Sequence, residues 1–134
     1  MSYGQAAKQA SRYRETQVLA ASPGELIVLV YDHLLMKLAR AQHATGPHAI
    51  DSRSEALENA RAAVCELLVT LDREKGGALA AQLVSIYSFL LGELATLGVR
   101  PDAHRFERVI GIVKALREAF QAAVESTTPT AAPA

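Results

Sequence analysis

The chain has 134 residues, length for one domain with a true core and not for two. Half of its residues are hydrophobic, only 5% are aromatic and there is no Trp, so the apolar content is Ala, Leu and Val. Fourteen basic residues balance fourteen acidic ones; a chain without net charge has no field to hold phosphate backbones or anionic lipid, which argues against nucleic acid and membrane surfaces as partners. One cysteine, Cys65, excludes an internal disulfide and fits a reducing compartment. The first residues have no signal-peptide core, and no apolar run is expected to reach the ~20 residues that span a bilayer. The expectation is a cytoplasmic protein without membrane insertion.

Residues 1–21 are polar with a thin helical stripe that includes Tyr3 and Tyr13, and read as a conditionally helical arm. Ser22-Pro23-Gly24-Glu25 follows. It places an N-cap, a proline at the first helical position and a glutamate three residues after the cap, a capping box. The first helix is expected to run to about residue 42 or 44, where Gly46-Pro47 stops it. Leu26, Ile27, Val30, Leu34, Leu38 and Ala41 share one face, and Val28, Tyr31, Leu35 and Met36 widen it well beyond an ordinary amphipathic stripe.

A second helix is expected from Asp51 or Ser52, with Ser52 and Glu55 as a further capping box and Leu57, Ala60, Val64, Leu67, Leu68 and Leu71 inward. Gly76-Gly77 reads as an interhelical turn. The third helix then spans about 78–97, with Leu79, Leu83, Ile86, Leu90, Leu94 and Leu97 on one face and Tyr87 beside it; Gly98 reads as its C-terminal cap and Pro101 as its stop. Asp102 caps a fourth helix over about 102–125, built on Phe106, Val109, Ile110, Val113, Leu116 and Phe120. Residues 126–134, small and rich in Pro and Thr, are expected to be disordered. The fold class is all-α: an antiparallel four-helix bundle over 22–125 with a short N-terminal arm.

The pattern offers little chemistry. A di-metal bundle needs Glu three residues before His, and the residues before the four histidines are Val30, Arg40, Thr45 and Pro101. No cofactor loop is present, since no strand precedes a glycine-rich turn. Cys65 beside Val64 reads as a small buried hydrophobe. His33 is the one candidate for phosphotransfer, but Tyr31, Leu34 and Met36 are expected to crowd it. The positive signal is the apolar excess of the first helix. Its cover comes from the bundle's own helices, from a second copy or from a foreign helix, and spacing alone does not choose.

Three stretches carry a family resemblance. Tyr3-Gly4-Gln5, Val18 through Ile27 and Leu29-Val30-Tyr31-Asp32 resemble the FliS-type flagellar secretion chaperones. So does Leu71-Asp72-Arg73-Glu74-Lys75-Gly76-Gly77 with the helix after it, and Leu116-Arg117-Glu118-Ala119-Phe120 is similar to that family's closing helix. The departures are Ala20 where Thr is usual, His33 where Gly is usual and Phe120 where Trp is common. The resemblance implies a non-enzymatic chaperone without cofactor that binds the C-terminal helical segment of flagellin, prevents premature polymerisation and delivers it for export. It also implies export-gate components or a flagellar regulator as further partners, and a monomer or weak dimer. On that reading Ser22 and Pro23 fix where the arm leaves the first helix, with Leu26 and Tyr31 following. Tyr3 and Tyr13 cover the client surface temporarily, and Leu57, Val64, Leu79, Leu83 and Tyr87 line it. The alternatives are a phosphotransfer bundle using His33 and a helical homodimer with no client.

Overall fold

The structure, a computed structural model, describes residues 22–127 together with residues 4–6, 8–9 and 12. Those few N-terminal positions are helical and exposed; Tyr3, Tyr13 and residues 128–134 lie outside the described residues. Four long helices make the fold: α1 (Pro23–His43), α2 (Ile50–Thr70), α3 (Arg73–Val99) and α4 (Ala103–Thr127), with a short 3-10 turn at Pro47–Ala49. Connections of two to six residues reverse the chain each time, and there is no strand among the described residues.

Each helix start has a local cause. Ser22 Oγ accepts the Glu25 amide at 3.2 Å, and Pro23 takes the first helical position, where its missing N–H costs nothing. Asp102 Oδ1 likewise accepts the His104 amide at 2.9 Å. The other two starts differ from expectation. Pro47 presets φ and winds a 3-10 turn, so α2 begins at Ile50, no side chain caps it, and Ser52 is already helical. At the next junction Leu71 and Asp72 are extended, and Asp72 Oδ1 accepts the Lys75 amide at 3.0 Å. Helical structure in α3 therefore begins at Arg73, with one short turn ahead of the expected start at 78. As expected, Gly77 breaks the helix, at φ 51° and ψ −127°, and the long helical segment begins after it at Ala78; what the sequence reading lacked is the short helical turn that runs from Arg73 up to this kink. Gly98 does not cap α3, which continues to Val99. Pro101 forces Arg100 to be extended, and the Arg100 amide bonds the Thr96 carbonyl at 2.8 Å. Helix α4 continues two residues beyond 125.

The core is one cluster fed by all four helices: Leu34 and Leu38 from α1, Ala60, Val64 and Leu67 from α2, Leu90 and Leu97 from α3, and Val109 and Val113 from α4. The alanines of α2 let α1 approach it closely. Helix α1 packs extensively against both α2 and α4, α3 leans on α2, and the α3–α4 seam is the lightest. Where α1 begins beside the end of α4, a Cβ on Gly24 would lie 2.8 Å from Val124 Cγ2, so a larger residue there would have to displace the Val124 side chain.

Polar ties cross the bundle at the Tyr31–Tyr87, Arg105–Glu93 and Arg117–Asp32 pairs. The hydroxyls of Tyr31 and Tyr87 hydrogen-bond to each other in the core, and the Tyr31 ring tilts against Phe120 with centroids 5.4 Å apart. Burial, with the bond to Tyr87 second, pushes the Tyr31 phenol far above its ordinary range. Burial also raises Tyr87. Arg105 pairs with the buried Glu93 at 2.5 Å across the light seam, and Arg117 pairs with Asp32 at 2.8 Å between α4 and α1. Contrary to the sequence expectation, α3 is long and apolar enough, by length and composition only, to cross a membrane. In the bundle its Leu83, Tyr87, Leu90, Leu94 and Leu97 stripe is buried against protein.

Candidate functional site

The inward stripe of α1 is turned from the expected one. Val28, Tyr31, Leu34, Leu38 and Ala41 face the core, because Tyr31 must reach both Tyr87 and Phe120. That rotation brings Leu26, Ile27 and Val30 round to the seam with α2. A depression of about 690 Å³ opens there, walled by Pro23, Leu26, Ile27, Leu29, Val30 and His33 of α1 and by Glu66, Leu67 and Thr70 of α2. A second depression of about 340 Å³ shares Ile27, Leu67 and Thr70 with it. It runs under the start of α3, past Gly76, Leu79, Leu83 and Tyr87 to Phe120. Together they form one apolar groove along the α1–α2–α3 end of the bundle.

The groove floor is hydrocarbon and its charges sit at the rim: Glu66, Asp72 and Lys75. Leu26 is 36% exposed and Leu79 61% exposed, which leaves two large side chains to water at its edges. Covering one exposed Leu is worth ~1.5–3 kcal/mol, so a pair of them is enough to decide whether an apolar helix stays bound. The Gly77 kink sets the direction of the α3 wall: the turn before it is held by Asp72, and Leu79 follows it. Among the described residues no group of three His, Cys, Asp or Glu side chains is placed to hold a metal ion.

The residues singled out from sequence divide into three groups. Pro23, Leu26 and Leu79 line the groove, and Leu83 and Tyr87 form its floor while being almost wholly buried. Ser22 is the exposed cap that positions α1. Tyr31, Leu57 and Val64 do not line the groove: they are core residues at 0%, 5% and 0% exposure, because helical spacing puts them on the faces that α1 and α2 turn to their neighbours. Tyr3 and Tyr13 fall outside the described residues. The groove residues that sequence reasoning missed include Ile27, Leu29, Val30, Leu67, Thr70 and Phe120. The signal for the first three was the width of the α1 apolar surface. His33 is exposed and lines the end of the groove; of the residues expected to crowd it, Tyr31 and Leu34 are buried in the core and Met36 is half-buried. Cys65 is half-buried rather than core.

The comparisons with known proteins agree with this architecture. The family model described as flagellar protein FliS matches residues 5–127. The flagellar secretion chaperone FliS of Salmonella typhimurium is 32% identical over 108 residues, 80% of each chain. That of Campylobacter jejuni is 32% identical over 109 residues, 81% of this chain and 85% of its own. That of Bacillus subtilis is 27% identical over 114 residues, 85% and 84%. A family match across the whole bundle, with relatives 32% identical over at least four-fifths of their length, establishes that this chain belongs to the FliS family of flagellar proteins.

Proposed function

We propose that this protein is a cytoplasmic export chaperone that holds the C-terminal helical segment of flagellin, keeps it from polymerising early and hands it to the export apparatus. The observation that carries the reading is the continuous apolar groove with Leu26 and Leu79 left to water, in a chain of this family. Binding is helix-in-groove. The client orders as it binds, which moderates affinity and permits release. No catalytic step and no cofactor enter the reading. Tyr3 and Tyr13 of the arm cover the groove when it is empty, and export-gate components or a flagellar regulator are further partners. The protein itself is a monomer or weak dimer.

The test is titration calorimetry with a flagellin C-terminal segment from the same organism. A one-to-one complex with a negative heat-capacity change and a gain in client helicity supports the reading. Leu26→Asp and Leu79→Asp should weaken the complex by roughly tenfold each, from the apolar area they no longer cover. No heat and no co-elution at tens of micromolar (about −6 to −7 kcal/mol of affinity) overturns it.

A further inference from the structure

The seam between α1 and α2 does not end with the apolar groove. One helical turn beyond His33, α1 presents Lys37, Arg40 and His43; opposite them α2 presents Ser52, Glu55 and Asn59. These side chains enclose a depression of about 390 Å³ with the buried Ala56 in its lining. Because α1 and α2 are antiparallel, it lies in line with the larger groove, the α2 side stepping from Glu66 back to Asn59.

The two ends of the seam differ in charge. Neither Lys37 nor Arg40 makes an ion pair among the described residues, and Glu55, in the same depression, pairs with neither. Two permanent cations thus face one carboxylate, with the Ser52 hydroxyl and the Asn59 amide beside them as neutral hydrogen-bonding groups. His43 is anchored by donating its Nδ1–H to the Ala39 carbonyl at 2.7 Å, which turns its other nitrogen away from the helix backbone. From Leu26–Val30 to Lys37–Arg40 is about ten residues, ~15 Å along a helix.

We propose that the α1–α2 seam is a two-part, direction-reading groove. It takes a helical client segment with its apolar side chains at the Leu26–Val30 end and carboxylates some ten residues away, at Lys37 and Arg40. Charge complementarity names the occupant: an acidic end is attracted by the two cations, and a basic end placed there is repelled. A client laid in reverse loses both halves of the match. The inference rests on the groove reading given above and adds to it the chemistry of the client and its orientation.

The experiment uses the full chain and three labelled helical peptides with identical leucine anchors. About ten residues from the anchors, one carries a Glu pair, one a Gln pair and one a Lys pair. Fluorescence anisotropy at about 50 mM and about 300 mM salt reads the affinities. The Glu peptide should bind about fivefold tighter than the Gln peptide at low salt, the Lys peptide most weakly, and the gap should shrink as salt rises. A Lys37→Glu, Arg40→Glu double variant, whose melting temperature is measured beside that of the parent because Lys37 is half-buried, should reverse the Glu–Lys order. Equal affinity of the Glu and Gln peptides overturns the proposal, as does an unreversed order in the variant or failure of all three peptides to bind. The flagellin segment is titrated alongside. If it binds while the Glu and Gln peptides do not differ, only the acid recognition falls. If it does not bind while the order holds, only the flagellin reading falls.

Discussion

Helices α1 and α3 are the two most apolar stretches of the chain, yet the bundle treats them differently. Helix α1 lies between α2 and α4 and has core contacts on two sides; α3 leans on α2, meets α4 lightly and keeps Leu79, Phe89 and Val99 at water. Beyond its first turn the exposed side of α3 carries no charge through Gly92: Ala81, Gln82, Ser85, Ser88, Phe89 and Gly92. The difference teaches that apolar content measures what a helix is able to bury, while the number of its neighbours decides what it does bury. The surplus collects where α1 rotates out of the core and α3 begins, and the groove is there.

The strongest way to break this comparison is truncation in each region. Leu38→Ala, at a site with 0% exposure, should cost about 2–5 kcal/mol. Leu79→Ala should change stability by less than ~0.5 kcal/mol. Similar losses in urea melts would mean that α3 is as enclosed as α1. Next is the tie between the two helices. Tyr31→Phe leaves the Tyr87 hydroxyl buried without its partner and should cost about 1–3 kcal/mol, whereas Tyr31→Phe with Tyr87→Phe should cost less than the two singles summed. The same pair sets an alkaline limit. Both phenols are raised in the fold above the ~10 of the unfolded chain, so their contribution is complete below about pH 10 and declines as pH rises past it. Unfolding midpoints followed from neutral to alkaline pH should show that decline in the parent and lose it in the double Phe variant.

A comparable effect belongs to the kink. Gly77→Ala puts a Cβ on a backbone at φ 51° and ψ −127° and should cost about 1–3 kcal/mol. The expected signature in hydrogen exchange is faster opening of residues 73–80 with α1 unaffected. Smallest of the set is Ser22→Ala, about 1 kcal/mol through the lost bond to the Glu25 amide. An unchanged melting temperature would mean that Pro23 alone starts α1.

Helix number, order and approximate ends were readable from the sequence because capping and breaking residues act locally. Ser22, Asp102 and Pro101 do in the structure what their chemistry implies. The misplaced boundaries have a common cause: competition between two adjacent signals. Ser52 lost to Pro47, which had already wound the chain, and Asp72 caps one extra helical turn ahead of the Gly77 break. The groove was half legible. The excess apolar width of α1 announced a second surface, but which residues formed it depended on the rotation of α1, and that is set by Tyr87 and Phe120, remote in sequence from Tyr31. Leu57 and Val64 looked no different from Leu79 in spacing; only the position of α1 over α2 makes them core.

The close approach of Gly24 to Val124 bears on the order in which the chain is made. The beginning of α1 is covered by the end of α4, so a nascent chain emerging from the ribosome completes α1, α2 and α3 before the helix that seals the other side of α1 exists. Throughout that interval Tyr31 lacks Phe120, Asp32 lacks Arg117, and a broad strip of α1 stays sticky. The bundle closes only with its last helix, a contact of high sequence separation that should set the pace of folding.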